Sequence, residues 1–460
     1  MWRKAAAASL VAAPILLAVA TGVDPALGDD QGYGIYRQHP DAVQAHSLLL
    51  HWAWALFVPG LLGLLTPIRR RGAVLARIAW LAVIFGLITF SALMANDFFL
   101  LALEQTLPDA RVQVVDERFL ALSVTVAGWQ WPGLAGWALS LILTPIAAAR
   151  AGVISWRVAA GALAGMALYL AFAISPVPLC LLGPVVMTVA YTFAARSLLD
   201  PASAAPSEPD TFGTFRRRFG LFSMYAAPLT FAAGMATVPD WSGDVADSVA
   251  SPVLTQVSAL FLHYAWVLFV PAVLMIAAQT IRSSGLEAST GGAGAASSSG
   301  GVVPSFGGPD RSASRAARFT GVAAGVTVLA LINFSGLMVG DSADLAARQA
   351  LDPATAEKVS ETMGGLAAFT FGWALPGMAL TLLGLIAVPI GAAVAGATRW
   401  WTAALSTAGI VAFLVAGLGP IGVTGPLLLL AGFALMARDF RRPAVGEAVP
   451  NSPTATPTTA

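Results

Sequence analysis

Residues Leu50 to Pro59 read L-H-W-A-W-A-L-F-V-P, and residues Leu262 to Pro271 read L-H-Y-A-W-V-L-F-V-P, 212 positions later. Working outward, F-S-A-L-M-A-N-D (Phe90 to Asp97) returns as F-S-G-L-M-V-G-D (Phe334 to Asp341), 244 positions later. At that same displacement G-W-Q-W-P-G (Gly128 to Gly133) returns as G-W-A-L-P-G (Gly372 to Gly377). Pro145 likewise maps to Pro389, Trp156 to Trp400 and Gly165 to Gly409. Composition alone does not keep aromatic, proline and glycine positions in register over such distances. The chain therefore reads as a fused tandem duplication.

Composition assigns the class. Apolar residues make up 57% of the chain and charged residues 11%, against about a quarter charged in an ordinary soluble domain. Twelve apolar stretches follow one another: 5–22, 46–67, 76–96, 120–148, 154–174, 177–195, 219–237, 254–279, 317–339, 363–394, 400–416 and 420–437. A helix needs roughly 20 residues to cross the hydrocarbon core, and most of these stretches suffice. The expected fold is all-α, a polytopic membrane protein of about 12 transmembrane helices arranged as two six-helix repeats. An even number of spans makes both repeats cross the membrane in the same sense. They should then be related by a pseudo-two-fold axis along the membrane normal.

The distribution of arginine and lysine orients this arrangement. With the N-terminus inside, 20 of the 25 basic residues fall in cytoplasmic segments, and only Arg37, Arg111, Arg118, Arg348 and Lys358 fall outside. Seventeen of the 24 acidic residues lie on the outer side. Both termini are expected in the cytoplasm and the chain in the cytoplasmic membrane. Arg3-Lys4, a short apolar run and Ala18-Val19-Ala20 resemble a cleavable signal. However, Ala12-Ala13-Pro14 matches the internal Ala226-Ala227-Pro228, so the first helix reads as retained.

Boundaries follow from composition. Residues 1–200 form the first repeat, 201–214 a Pro/Ser/acid-rich cytoplasmic linker, 215–440 the second repeat and 441–460 a tail. The second repeat carries a Gly/Ser-rich insertion, 285–312, too poor in apolar groups to order itself, which accounts for the change of displacement from 212 to 244. After the third span, L-P-D-A-R-V-Q-V-V-D-E-R aligns with L-D-P-A-T-A-E-K-V-S-E-T, Leu107 over Leu351. That punctuation predicts a short outer helix in each half.

The topology gathers the repeated polar residues in the outer half of the membrane: His51, Asp97 and Trp129, with their counterparts His263, Asp341 and Trp373. An ionisable group within a bilayer is costly unless paired or hydrated. A buried imidazole kept at the same place in both repeats therefore marks a proton or substrate pathway, a helix-locking hydrogen bond, or an axial ligand. His46 and His51 are five apart and do not share a helix face. Trp52, Trp54, Trp129, Trp131 and Trp137 fit an interfacial aromatic belt. Matched prolines, Pro14/Pro228, Pro59/Pro271, Pro132/Pro376, Pro145/Pro389 and Pro184/Pro426, each remove a backbone donor.

The single Cys180 leaves no disulfide within the chain and no cysteine-based metal site. Near-neutral charge gives no footprint for nucleic acid. No Gly-rich loop followed by Lys-Ser/Thr is present, so ATP hydrolysis would require a partner subunit. No catalytic residue and no metal set stands out, and the cofactor content is not readable. The expected function is a transporter of a small molecule or ion with an outward-facing His/Asp site. The alternatives are a redox or enzyme subunit ligating haem or copper through His51 and His263, and a non-catalytic membrane scaffold.

Overall fold

In the computed structural model, residues 2–28, 32–200, 209–239, 245–285, 311–417 and 421–441 are described. The core of the Gly/Ser-rich insertion, most of the linker before residue 209 and the tail after 441 lie outside them.

The described chain is helical throughout. The first half contains α1 Trp2–Gly22, α2 Pro40–Leu65, α3 Ala73–Thr106, α4 Asp109–Leu120, α5 Ser123–Arg150, α6 Trp156–Phe172 and α7 Leu179–Leu199. The second contains α8 Thr211–Ala236, α9 Pro252–Ser283, α10 Ser312–Ala350, α11 Pro353–Gly365, α12 Ala367–Val394, α13 Trp400–Ala416 and α14 Thr424–Arg441. Nine of these, α1–α3, α5, α7–α10 and α12, are long and apolar enough to cross a membrane, and the apolar α6 and α13 are shorter. The protein is thus built as a multi-pass membrane bundle.

Local sequence explains the boundaries. Proline occupies the first turn of α2 and α9, where its missing N–H costs nothing. Asp210 caps α8 through Gly213 N at 2.6 Å and Asp352 caps α11 through Thr355 N at 3.1 Å. Helices α5 and α12 stop at Gly152 (φ 77°) and Gly396 (φ 74°). There Val153 N donates to Ala148 O and Ala397 N to Ala392 O, the 6→1 closure that needs a left-handed residue at the turn.

Helix pairs recur in the two halves. α1 packs on α2 and α7, and α8 packs on α9 and α14. Small residues set these approaches: Gly63 backs onto Ala6, Gly165 onto Gly183 and Met187, and Gly409 onto Gly425 and Leu429. The buried face of α1 carries Ala6, Leu10, Ala13, Leu17 and Ala20, so the N-terminal helix is part of the core.

Helices α3 and α10, at 34 and 39 residues, would measure about 50–60 Å at ~1.5 Å per residue. They overshoot the ~30 Å hydrocarbon layer. Their far ends join α4 and α11 in a polar head, in which α4 packs on α10 and α11 on α3. The short helix expected after the third span is therefore present in each half, and each leans on the opposite half. Arg118 Nε donates to Gln349 Oε1 at 2.8 Å across that seam, and Thr125 Oγ1 meets Ser342 Oγ at 2.9 Å. Arg37 donates to Asp109 at 2.7 Å and, through its backbone N–H, to Glu104 at 2.9 Å. Tyr33 donates to Asp116 at 3.0 Å, and burial, then that carboxylate, pushes the phenol up to about 12. The end opposite the head is basic, with Arg69–Arg71, Arg150, Arg216–Arg218 and Arg282.

Candidate functional site

The six sequence-predicted residues do not form one cluster. His51 and His263 are both fully buried, and so, within 1%, are Trp129 and Trp373. The rings pair across the halves. Trp373 of α12 stacks on His51 of α2, with centroids 3.5 Å apart and planes at 20°. Trp129 of α5 lies against His263 of α9, at 4.6 Å and 54°.

Each imidazole is held by one helix of its own half and one of the other. His51 Nδ1 donates to Ser91 O at 3.1 Å, and His263 Nδ1 donates to Ser335 O at 3.1 Å. A carbonyl only accepts, so both rings carry their proton on Nδ1. Nε2 of His51 faces the amide of Asn333 on α10, and Nε2 of His263 faces Thr89 Oγ1 on α3 at 2.9 Å. Asn333 and Thr89 are 244 positions apart, as are Ser335 and Ser91. A neutral ring needs a donor at Nε2. Asn333 presents Oδ1 there, so its NH₂ would reach the ring only with the amide turned over. The single hydroxyl proton of Thr89 is contested between Nε2 of His263 and Phe85 O.

The backbone beside the rings explains why they fit. Val126–Gln130 and Thr370–Ala374 are π-helical turns directly before Pro132 and Pro376. Each proline lacks the N–H that would bond the carbonyl four residues earlier. Those carbonyls belong to Gly128 and Gly372. Tyr264 Oη donates to Gly128 O at 2.8 Å, and Trp52 Nε1 donates to Gly372 O at 3.3 Å. A buried polar group freed in a membrane must find a partner in the protein, and here it comes from the opposite half both times. A Cβ on Gly128 would strike Leu260 at 2.5 Å, and one on Gly372 would strike Leu48 at 2.6 Å. Further along, Gln256 Oε1 accepts from Val124 N at 3.2 Å, and Gln44 Oε1 accepts from Ala368 N at 3.2 Å. The second helix of each half thus grips the π-turn of the other along several turns.

The aspartates sit apart from the imidazoles and differ from each other. Asp97 is half-buried and accepts from Ser47 Oγ at 3.2 Å. Asp341 is exposed. It lines a cavity of about 340 Å³ at the head end, together with Ser258, Leu262, Met338, Asp344 and Arg348. His263 is not in that lining, although its neighbour Leu262 is. In the first half His46 occupies the place of Ser258, with Nδ1 on Ala20 O at 2.8 Å and Nε2 3.8 Å from Asp24.

The aromatic-belt expectation needs correction for three of its members. Trp54, Trp129 and Trp137 are buried in the bundle at 0%, 1% and 7% exposure, while Trp131 is 65% exposed. Trp54 and Trp137 meet edge to face at 5.7 Å, and Phe90 stacks on Trp137 at 4.8 Å. Indoles can fill an interhelical core as readily as an interface.

Sequence reasoning overlooked Thr89 and Asn333, because matched positions of different residue type carry no identity signal. Gln44 and Gln256 were legible as an identical pair 212 apart. Among the described residues no group of three or more His, Cys, Asp or Glu is gathered as a metal site. Axial ligation through His51 or His263 would require Nε2 to give up Asn333 or Thr89. No family model, curated protein or solved structure matches this chain.

Proposed function

We propose that the chain is a permease of the cytoplasmic membrane that moves a small polar solute. In this reading two co-oriented six-helix repeats, related by a pseudo-two-fold axis, give twelve spans with both termini on the basic, cytoplasmic side. The contacts that recur in reciprocal form when each partner is shifted by 212 or 244 positions support the duplication, and the arginine-rich end supports the orientation. The observation that carries the transport reading is the head-end cavity, lined by Asp341, Asp344 and Arg348 and reaching Leu262 beside the buried His263 layer. A polar recess at the head end, lined by the second repeat alone and closed off beneath by that layer, is what the outward-facing state of an alternating-access cycle would present.

In that cycle Asp97 and Asp341 form the outer polar rim. The pairs His51/Trp373 and His263/Trp129 form the closed gate beneath it. Each pair ties a second helix of one half to a fourth helix and a third helix of the other. Opening toward the basic side therefore requires both ties to release together.

The test is a screen of amino acids, sugars, organic acids and inorganic ions for those that raise the melting temperature of the solubilised chain, since a ligand of the folded state stabilises it by mass action. Hits are then followed as uptake into proteoliposomes. Asp341→Asn is expected to weaken the stabilising effect, and the His51→Ala/His263→Ala double variant to lose uptake while still folded. Full uptake in the double variant would remove the imidazoles from the mechanism. No stabilising solute and no uptake across the panel would overturn transport. That outcome would favour a second reading, a non-transporting membrane scaffold, for which the observation is that all four imidazole nitrogens are hydrogen-bonded within the bundle.

A further inference from the structure

At the basic end, away from the head, a second cavity of about 360 Å³ opens between α3 and the first turns of α8. Its lining on α8 is Thr211, Thr214, Phe215, Arg218, Phe219 and Phe222, and α3 contributes Arg77. The α8 residues recur every three to four positions, so they form one stripe on one helix face. Two guanidinium groups thus converge on a recess that is otherwise aromatic.

The charge there is not neutralised from within. Among the described residues neither Arg77 nor Arg218 is ion-paired, although Arg69, in the loop before α3, is paired with Asp210 at 3.3 Å. The half-buried Arg77 guanidinium has one acceptor, the Thr211 carbonyl at 3.3 Å, and its buried Nε has none. It rests on the Phe215 ring, 5.8 Å from the centroid, which orients the fork without consuming its donors. Arg218 is exposed beside it. A planar fork with spare donors next to a second cation suits a phosphate oxyanion.

The surroundings say which phosphate. Phe222, Val74 and Ile78, on the same two helices, expose 57%, 67% and 45% of their surface. Phe222, one turn further into the bundle than Arg218, and Ile78, next after Arg77, continue the recess toward the bilayer interior as an apolar wall, while Val74 lies one turn nearer the basic end. A free anion has no use for that wall, and an acyl chain does. We infer that this recess holds the headgroup of an anionic phospholipid, its phosphate between Arg77 and Arg218 and its chains along Phe222 and Ile78. Basic pockets between helices at the membrane surface bind lipid headgroups in this way. The inference rests on the bundle lying in a membrane and not on transport.

Native mass spectrometry of the detergent-purified full chain tests it, with phosphatidylglycerol, phosphatidylcholine and inorganic phosphate as probes. Phosphatidylglycerol should bind more tightly than phosphatidylcholine. With about 1 kcal/mol per arginine near the surface, Arg218→Gln should weaken it about fivefold and Arg77→Gln/Arg218→Gln about 30-fold. Arg70→Gln, an exposed arginine outside the recess, should leave it unchanged. Arg218 is exposed, so its substitution keeps the test valid if the double variant does not fold. Equal affinity for the two lipids, or undiminished phosphatidylglycerol binding in Arg218→Gln, overturns the inference. So does displacement of the lipid by millimolar inorganic phosphate, which would make the recess a free-anion site.

Discussion

The His51 and His263 sockets are built from the same parts and are not equally tight. Around His51, Trp373 stacks flat and its Nε1 donates to Asn333 O at 2.8 Å, so ring, indole and asparagine close on one another. Around His263, Trp129 tilts away, and its buried Nε1 finds no acceptor among the described residues. Thr89, one atom shorter than asparagine in reach, must also share its hydroxyl with the Phe85 carbonyl. Helix α3 departs from α-helical winding just there, with a π-turn at Ala82–Leu87, whereas α10 winds regularly through the matched stretch. A duplicated interface can thus keep its geometry while one copy loosens. The looser copy is the one whose half contains the open head-end cavity.

The largest test of this asymmetry is truncation of the two indoles. Trp373→Ala should cost about 4 kcal/mol and Trp129→Ala about 3, since both leave a cavity and only the first also breaks a hydrogen bond. Denaturant titration of the solubilised chain measures the difference, and equal losses would erase it. Removing the imidazole partners is the next step down. Asn333→Leu should destabilise by about 2 kcal/mol and Thr89→Val by about 1, each leaving a buried Nε2 unmatched.

The aspartates extend the contrast to the rim. Asp97→Ala should cost about 1 kcal/mol through the orphaned Ser47 hydroxyl, while Asp341→Ala at its exposed site should stay within about 0.5. A larger effect at Asp341 would mean that the cavity is structural. Also small, close to that bound, is the loss of the proline-freed carbonyl partners. Tyr264→Phe and Trp52→Phe should each remove about 0.6 kcal/mol, the usual worth of such a bond between membrane helices. Amide exchange at the two π-turns would report which of them opens first.

Much of this arrangement was legible before any coordinates. The apolar stretches mark the helices because a long apolar segment in a bilayer satisfies its backbone hydrogen bonds within itself only as a helix. Leu107 over Leu351 marks the paired head helices, because proline and aspartate start helices wherever they stand. The ring pairs were harder to see. His51 and Trp129 look like members of one cluster on the chain, since both belong to the first half, yet the bundle gives each to the other half. Asp97 and Asp341 are identical letters that ended in different surroundings, because His46 and Ser258 fill the neighbouring space differently.

Sequence alone determined that the chain is a helical membrane protein, which stretches form apolar helices and where prolines would leave carbonyls unsatisfied. Those properties depend on the solvent and on local backbone chemistry, and both act on each segment separately. Only the tertiary structure decided which donor answers each freed carbonyl and which indole covers each imidazole. Such pairings depend on the distance and angle between helices that are remote in the chain, and periodicity within one helix carries no information about either.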